Sequence, residues 1–273
     1  MTAQEKNTLY SLIKTVSDYC CGYSSPDLSI PPVFTDDPVS PAAAPAAAKV
    51  SAAVQAAAAP QAAAPAASVP VTMQDISRKI ASCMRCQLAA GRTHVVPGEG
   101  VLHPVVLVIG EGPGPDEDVT GRPFVGPAGQ LLDKMLAAIS LDRHRNCFIG
   151  NVVKCRPPHN RDPEPAESQA CRAFLDAQIH LLKPAMILAV GRIASQLLLN
   201  TQTGIGALRG SFHQYNSIPL LATYHPSALL RNADLKRPAW EDLKLFRTRL
   251  QTIVPGYETY TDTFYTPADV QQA

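Results

Sequence analysis

The sequence has almost no net charge: its 273 residues hold 24 Lys and Arg against 23 Asp and Glu, a formal +1. A global basic field for nucleic acid is therefore excluded, and any DNA contact must come from a local patch or a few loops. No run of about 18 uninterrupted apolar residues is present, so no membrane span is expected. No long apolar segment follows the opening Met-Thr-Ala-Gln-Glu-Lys, and the cysteines number seven, an odd count. Both observations argue against a secreted disulfide framework and set the expectation of a soluble, reducing, cytoplasmic setting. No internal repeat is apparent, and no paired-Asp metal site of the kind used for nucleotidyl transfer.

What is present divides by composition. Residues 1–25 set Leu9, Leu12, Ile13 and Val16 at helical spacing and read as a short amphipathic helix. Residues 26–71 differ, being almost entirely Ala and Pro between Pro41 and Pro70. Proline breaks any long helix there, and alanine buries too little surface to offset chain entropy. This stretch is expected to be a disordered linker, either a plain spacer or a tether for a partner-binding N-terminal helix. A folded domain is expected over 72–255, with a C-terminal tail at 256–273.

Within the domain, helices alternate with apolar runs. Thr72 caps a helix that ends near Cys83. Val105–Ile109, Phe148–Val153, Met186–Val190 and Leu220–Tyr224 read as buried strands. Helices are expected over Gly126–Ile139, Pro165–Leu182 (stopped by Pro184), Arg192–Leu199 and Trp240–Ile253. This alternation predicts an α/β three-layer sandwich around a mainly parallel four-stranded sheet. Ligands of such sheets bind at the carboxyl ends of the strands, which directs attention to the loops after Ile109, around Asn151, after Val190 and after Tyr224.

Those loops carry the chemistry. Cys83-x2-Cys86, Cys155 and Cys171 supply four thiolates, a set that holds zinc or an iron–sulfur cluster. Gly110-Glu-Gly-Pro-Gly-Pro-Asp-Glu-Asp118 follows a strand as a phosphate loop would, but its prolines lack N–H groups and its carboxylates repel anions. The loop suits an uncharged planar ligand better, or is a tight turn only. Phe124, between Pro123 and Gly126, is either core or a platform on which a base stacks. Asn151 sits on a strand, where an amide is unfavourable unless it makes specific hydrogen bonds. His225 ends another strand ahead of Pro226. Leu229 and Leu230, beside Arg231, form either a wedge that enters a base step or a helical turn with its leucines inside.

Together these segments resemble the family-4 uracil-DNA glycosylases, the iron–sulfur branch of their superfamily. The matching pieces are Cys83/Cys86, Gly110-Glu-Gly-Pro-Gly, Gly121-Arg-Pro-Phe-Val-Gly, Asn151-Val-Val-Lys-Cys-Arg-Pro-Pro, Cys171 and His225-Pro-Ser-Ala-Leu-Leu-Arg, in that order between Ser77 and Arg247. The resemblance implies that Cys83, Cys86, Cys155 and Cys171 bind a 4Fe-4S cluster, with zinc the less favoured metal. It implies excision of uracil from single- or double-stranded DNA by a monomer. Gly110, Glu111, Gly112, Phe124, Asn151 and His225 would form the base pocket, with Phe124 stacking on the ring and Asn151 reading its edge. His225 would donate to the leaving base, and Glu111 would support the attacking water. Glu117 would crowd the C5 position against thymine. Leu229, Leu230 and Arg231 would be the DNA wedge. No basic insertion follows Asn151, so turnover is expected rather than a covalent product. Two other readings stand beside this one: a non-catalytic iron–sulfur protein that binds nucleic acid, and a fragment of a phage-type DNA polymerase. Cys147 matches no ligand and reads as a buried apolar residue; Cys20 and Cys21 lie outside the resemblance.

Overall fold

A computed structural model of the chain describes residues 71–267. The expected N-terminal helix, nearly all of the Ala/Pro linker, and Cys20 and Cys21 lie outside the described residues. In chain order the elements are helix α1 (Met73–Ala81), α2 (Leu88–Gly91), strands β1 (Glu99–Val101) and β2 (Val106–Gly110), α3 (Pro115–Thr120), α4 (Pro127–Ala137), β3 (Cys147–Asn151), α5 (Pro165–Leu182), β4 (Met186–Val190), α6 (Arg192–Leu199), α7 (Ile205–Leu208), β5 (Phe212–Tyr215), β6 (Ile218–Thr223), α8 (Pro226–Arg231), α9 (Lys236–Ile253) and β7 (Phe264–Tyr265).

Local chemistry sets the ends of these elements. Thr72 and Asp75 form a reciprocal capping box at the start of α1. Proline occupies the first turn of α3, α4, α5 and α8, where its missing N–H costs nothing. Helix α5 stops at Lys183, which takes a left-handed conformation ahead of Pro184.

The seven strands run in the order β5-β6-β4-β2-β3-β1-β7. The inner four, β6, β4, β2 and β3, are parallel, as expected. Three short antiparallel strands widen the sheet beyond the expected four: β5 on one edge, β1 and β7 on the other. Alternate residues of the parallel strands face opposite layers. Leu107, Ile109, Phe148, Ile187 and Leu220 pack under α1, α5 and α6, and Val106, Val108, Ile149, Leu188 and Leu221 under α4 and α9. Packed structure extends past 255, where the domain was expected to end. The Tyr257 ring is fully buried with its hydroxyl donating to the Ile139 carbonyl at 2.6 Å, and β7 pairs with β1, so the fold continues through Tyr265. Among the described residues, no helix is long and apolar enough to cross a membrane.

The chain leaves β2 for β3 on one side and later returns to β4 on the other. That reversal opens a crevice at the carboxyl end of β2, where a ligand fits without breaking a strand pair.

Candidate active site

A cleft of about 550 Å³ opens there. Its lining gathers Glu111 and Gly112 after β2, Phe124 before α4, Asn151 at the end of β3, Gly191 after β4, and His225 and Arg231 from the β6–α8 segment. Segments far apart in sequence thus converge because four parallel strands end at one rim.

Gly110 permits the tightest approach. It pairs with Asn151 across β2 and β3, and a Cβ at this position would lie 2.5 Å from Asn151 Oδ1 and 2.5 Å from the Phe124 ring. Only glycine lets the amide and the aromatic close on the same point. Asn151 is 1% exposed, and its Oδ1 has no hydrogen-bond partner. A buried acceptor without a partner costs about 1–3 kcal/mol, so this oxygen is poised for a donor that arrives with a ligand.

Phe124 is buried and holds a left-handed backbone at φ 53°. That conformation is unfavourable for an aromatic residue and persists only where its surroundings impose it. Arg143 does so, donating to the carbonyls of Pro123 and Phe124 at 2.9 Å each. Its guanidinium is fixed in turn by the buried Glu99 at 2.6 Å and by Asp133 at 2.7 Å. Gly129 of α4 lies flat against the Phe124 backbone, where a Cβ would fall 2.0 Å from its carbonyl. The Phe124 and His225 rings stand 5.7 Å apart, tilted by 32°. Glu117 lines the cleft, but its carboxylate accepts from the main-chain N–H groups of Gly114, Val125 and Gly126 at 2.9–3.0 Å. It clamps the Phe124 loop to α3.

His225 caps α8, its Nδ1 accepting the Ser227 N–H at 3.1 Å. Nδ1 is therefore the unprotonated nitrogen, and the neutral ring carries its proton on Nε2. Burial, with Arg231 adding to it, holds the imidazole down to about 4, so it is neutral at physiological pH. Glu111 moves the other way. Burial and the nearby Asp162 push its carboxyl up to about 7 against the opposing pull of Arg192. A carboxyl poised near neutrality and a neutral imidazole donor lining the same cleft suit proton transfer at pH 7.

Leu229 and Leu230 part company. Leu229 is 3% exposed and packs in the core, whereas Leu230 is 52% exposed and Arg231 lies at the surface. Of the two leucines expected to form a wedge, the short α8 turns only Leu230 outward, beside the exposed Arg231.

On the opposite layer, Cys83, Cys86, Cys155 and Cys171 line one small cavity with Lys154, Arg92 and Arg85. Arg92 donates to the Cys155 sulfur at 3.2 Å. Burial pushes the Cys155 thiol up to about 11, and Cys171 and Cys86 add to this. Among the described residues, no three Cys, His, Asp or Glu side chains gather closely enough for a single metal ion. The four cysteines instead line a cavity that Arg85, Arg92 and Lys154 also border. Cys147 is buried on the other face of the sheet, where burial raises its thiol.

Sequence reading missed Arg143, Lys154, Asp162 and Arg192. Arg143, Asp162 and Arg192 are single charged residues outside any motif, and each acts through a partner distant in the chain. Lys154 lies within the Asn151-Val-Val-Lys-Cys segment, but nothing in that segment says where its ammonium goes.

The Uracil DNA glycosylase superfamily model matches residues 97–244. The chain is 39% identical over 181 residues to the type-4 uracil-DNA glycosylase of Archaeoglobus fulgidus, covering 63% of this chain and 90% of that protein. It is 42% identical over 176 residues to the type-4 uracil-DNA glycosylase of Thermotoga maritima, covering 63% of this chain and 91% of that protein. Similarity to the DNA polymerase of Bacillus phage SP01 is 24% and spans 17% of that protein. The chain belongs to the uracil-DNA glycosylase superfamily, on its type-4 branch.

Proposed function

We propose that this protein is a uracil-DNA glycosylase of base-excision repair: it flips deoxyuridine out of DNA and hydrolyses the N-glycosidic bond to release free uracil. The observation that carries the reading is the unpartnered, buried Oδ1 of Asn151 in a cleft beside Phe124 and His225. Uracil N3–H is the donor this oxygen lacks, and the amide N–H donates to uracil O4. Cytosine presents the reverse pattern, an acceptor at N3 and an amine at C4. Two mismatched buried hydrogen bonds at roughly 1–3 kcal/mol each exclude it by two or more orders of magnitude.

The remaining roles follow from placement and protonation. Phe124 stacks on the flipped ring, and its imposed backbone presents the ring without reorganisation. As the bond breaks, negative charge builds on uracil O2, and neutral His225 donates its Nε2 proton in a hydrogen bond to it. A fixed donor of this kind contributes about 3–4 kcal/mol to the barrier. Glu111, in its ionised form, orients and deprotonates the water that attacks the sugar. Leu230 and Arg231 fill the gap left in the stack.

The four cysteines fit a 4Fe-4S cluster. They offer an all-sulfur donor set lining one cavity, with Arg92, Arg85 and Lys154 to balance negative charge. When bound, a cluster supplies thiolate bonds that cross-link the segment after α1 to the β3–α5 loop and α5. We assign residues 72–265 to the catalytic domain. The protein acts as a monomer on single- or double-stranded uracil-containing DNA, and residues 1–71 serve as a tether and partner-binding arm. Incubation with an oligonucleotide bearing one uracil tests the activity: free uracil and an abasic site are expected. Retention of DNA without base release would favour the binding-protein reading, and nucleotide incorporation the polymerase reading.

A further inference from the structure

Lys154 is 1% exposed, between Asn151 and Cys155 in sequence and between the two sites in space. Its ammonium donates to the Asn151 main-chain carbonyl at 2.8 Å and to Gln178 Oε1 at 2.7 Å. Gln178, on α5, donates onward to the Pro97 carbonyl at 2.8 Å. The Lys154 side chain also lines the four-cysteine cavity, and its main-chain N–H faces the Cys171 thiol. Among the described residues, this ammonium makes no ion pair with a carboxylate, and its two partners are the neutral oxygens of Asn151 and Gln178. A buried cation is costly unless an opposite charge balances it, and thiolates around a cluster supply that charge.

We infer that Lys154 is a positioning residue that ties the base-reading Asn151 to the four-cysteine site and balances that site's negative charge. The inference rests on the cofactor reading above for its charge half and on the hydrogen bond to Asn151 for its positioning half. Groups one shell out from a metal site fix the ligands and tune the centre, and their loss typically costs about 10–100-fold in affinity or activity. Here the same side chain also holds the peptide that carries Asn151.

The test compares the full-length wild-type protein with Lys154→Met in three measurements. These are iron content, reduction potential of the visible chromophore, and affinity for DNA carrying a cleavage-resistant 2′-fluoro-deoxyuridine relative to the same DNA carrying 2′-fluoro-deoxycytidine. Iron is expected to stay bound, and the potential to move to more negative values because a neighbouring positive charge is gone. The preference for uracil over cytosine is expected to fall about tenfold. Unchanged potential at full iron content would overturn the charge half, and unchanged base preference would overturn the positioning half. A wild-type protein without iron would refute the cofactor reading and the charge half with it, leaving base preference to decide the positioning half. If Lys154→Met is insoluble, Gln178→Glu sets a carboxylate against the ammonium. It should shift the potential in the same direction with a smaller loss of base preference, and an unshifted potential there would again overturn the charge half.

Discussion

Replacing Asn151 by Ala separates fold from function. In the free protein, Asn151 Oδ1 is buried and bonds to nothing. Its removal therefore breaks no hydrogen bond made by that oxygen and relieves an unsatisfied acceptor, worth about 1–3 kcal/mol. The truncation enlarges a cleft that is already open, which offsets part of that gain. Stability should stay level or rise by about 1 kcal/mol, a shift of about 2–4 °C in melting temperature for a domain of this size. Activity should go the other way. Uracil loses two edge contacts at about 1–3 kcal/mol each, so kcat/KM should fall by about 30-fold at the low end and 10⁴-fold at the high end. Thermal melting and single-turnover uracil excision on the same preparation provide the assay. A markedly less stable variant that excises uracil at the wild-type rate would refute the reasoning, because Asn151 would then be a structural residue.

With Glu111 as the proposed water activator, excision should rise with pH through about 7 and lose that limb in Glu111→Gln. Since its folded value lies above the ordinary 4.5, the stability it contributes in acid is lost as pH rises through about 7, so Glu111→Gln should gain most near pH 8. Gly110→Ala drives a methyl to 2.5 Å from both Asn151 Oδ1 and Phe124. It should cost about 1–3 kcal/mol of stability and nearly all excision, read by melting and turnover. His225→Ala should slow excision from single strands, U:G and U:A by a similar factor, whereas Leu230→Ala should harm U:A most and single strands least. Equal substrate dependence in those two variants would contradict separate roles in donation and wedging.

The parallel sheet was legible because its strands are buried on both faces and so read as unbroken apolar runs. The edge strands were not: Glu99-Gly-Val is three residues long with a carboxylate in it, and Phe212-His-Gln-Tyr alternates too briefly to stand out. The Asn151 and His225 positions followed from the rule that ligands meet the carboxyl ends of strands. Which of Leu229 and Leu230 faces inward was not legible, because a six-residue helix gives no periodicity to choose between them. The left-handed Phe124 was invisible, since it is imposed by Arg143 and Gly129 through tertiary contact and not by local propensity.

Uracil release itself tests the account most directly. Matched oligonucleotides bearing a single uracil, cytosine or thymine at one position would be incubated with the protein, and the free base in solution quantified over time. Free uracil is expected in step with abasic sites, through repeated turnovers, and neither cytosine nor thymine. Tight binding to the uracil strand with no free base, or equal release of all three bases, would contradict it.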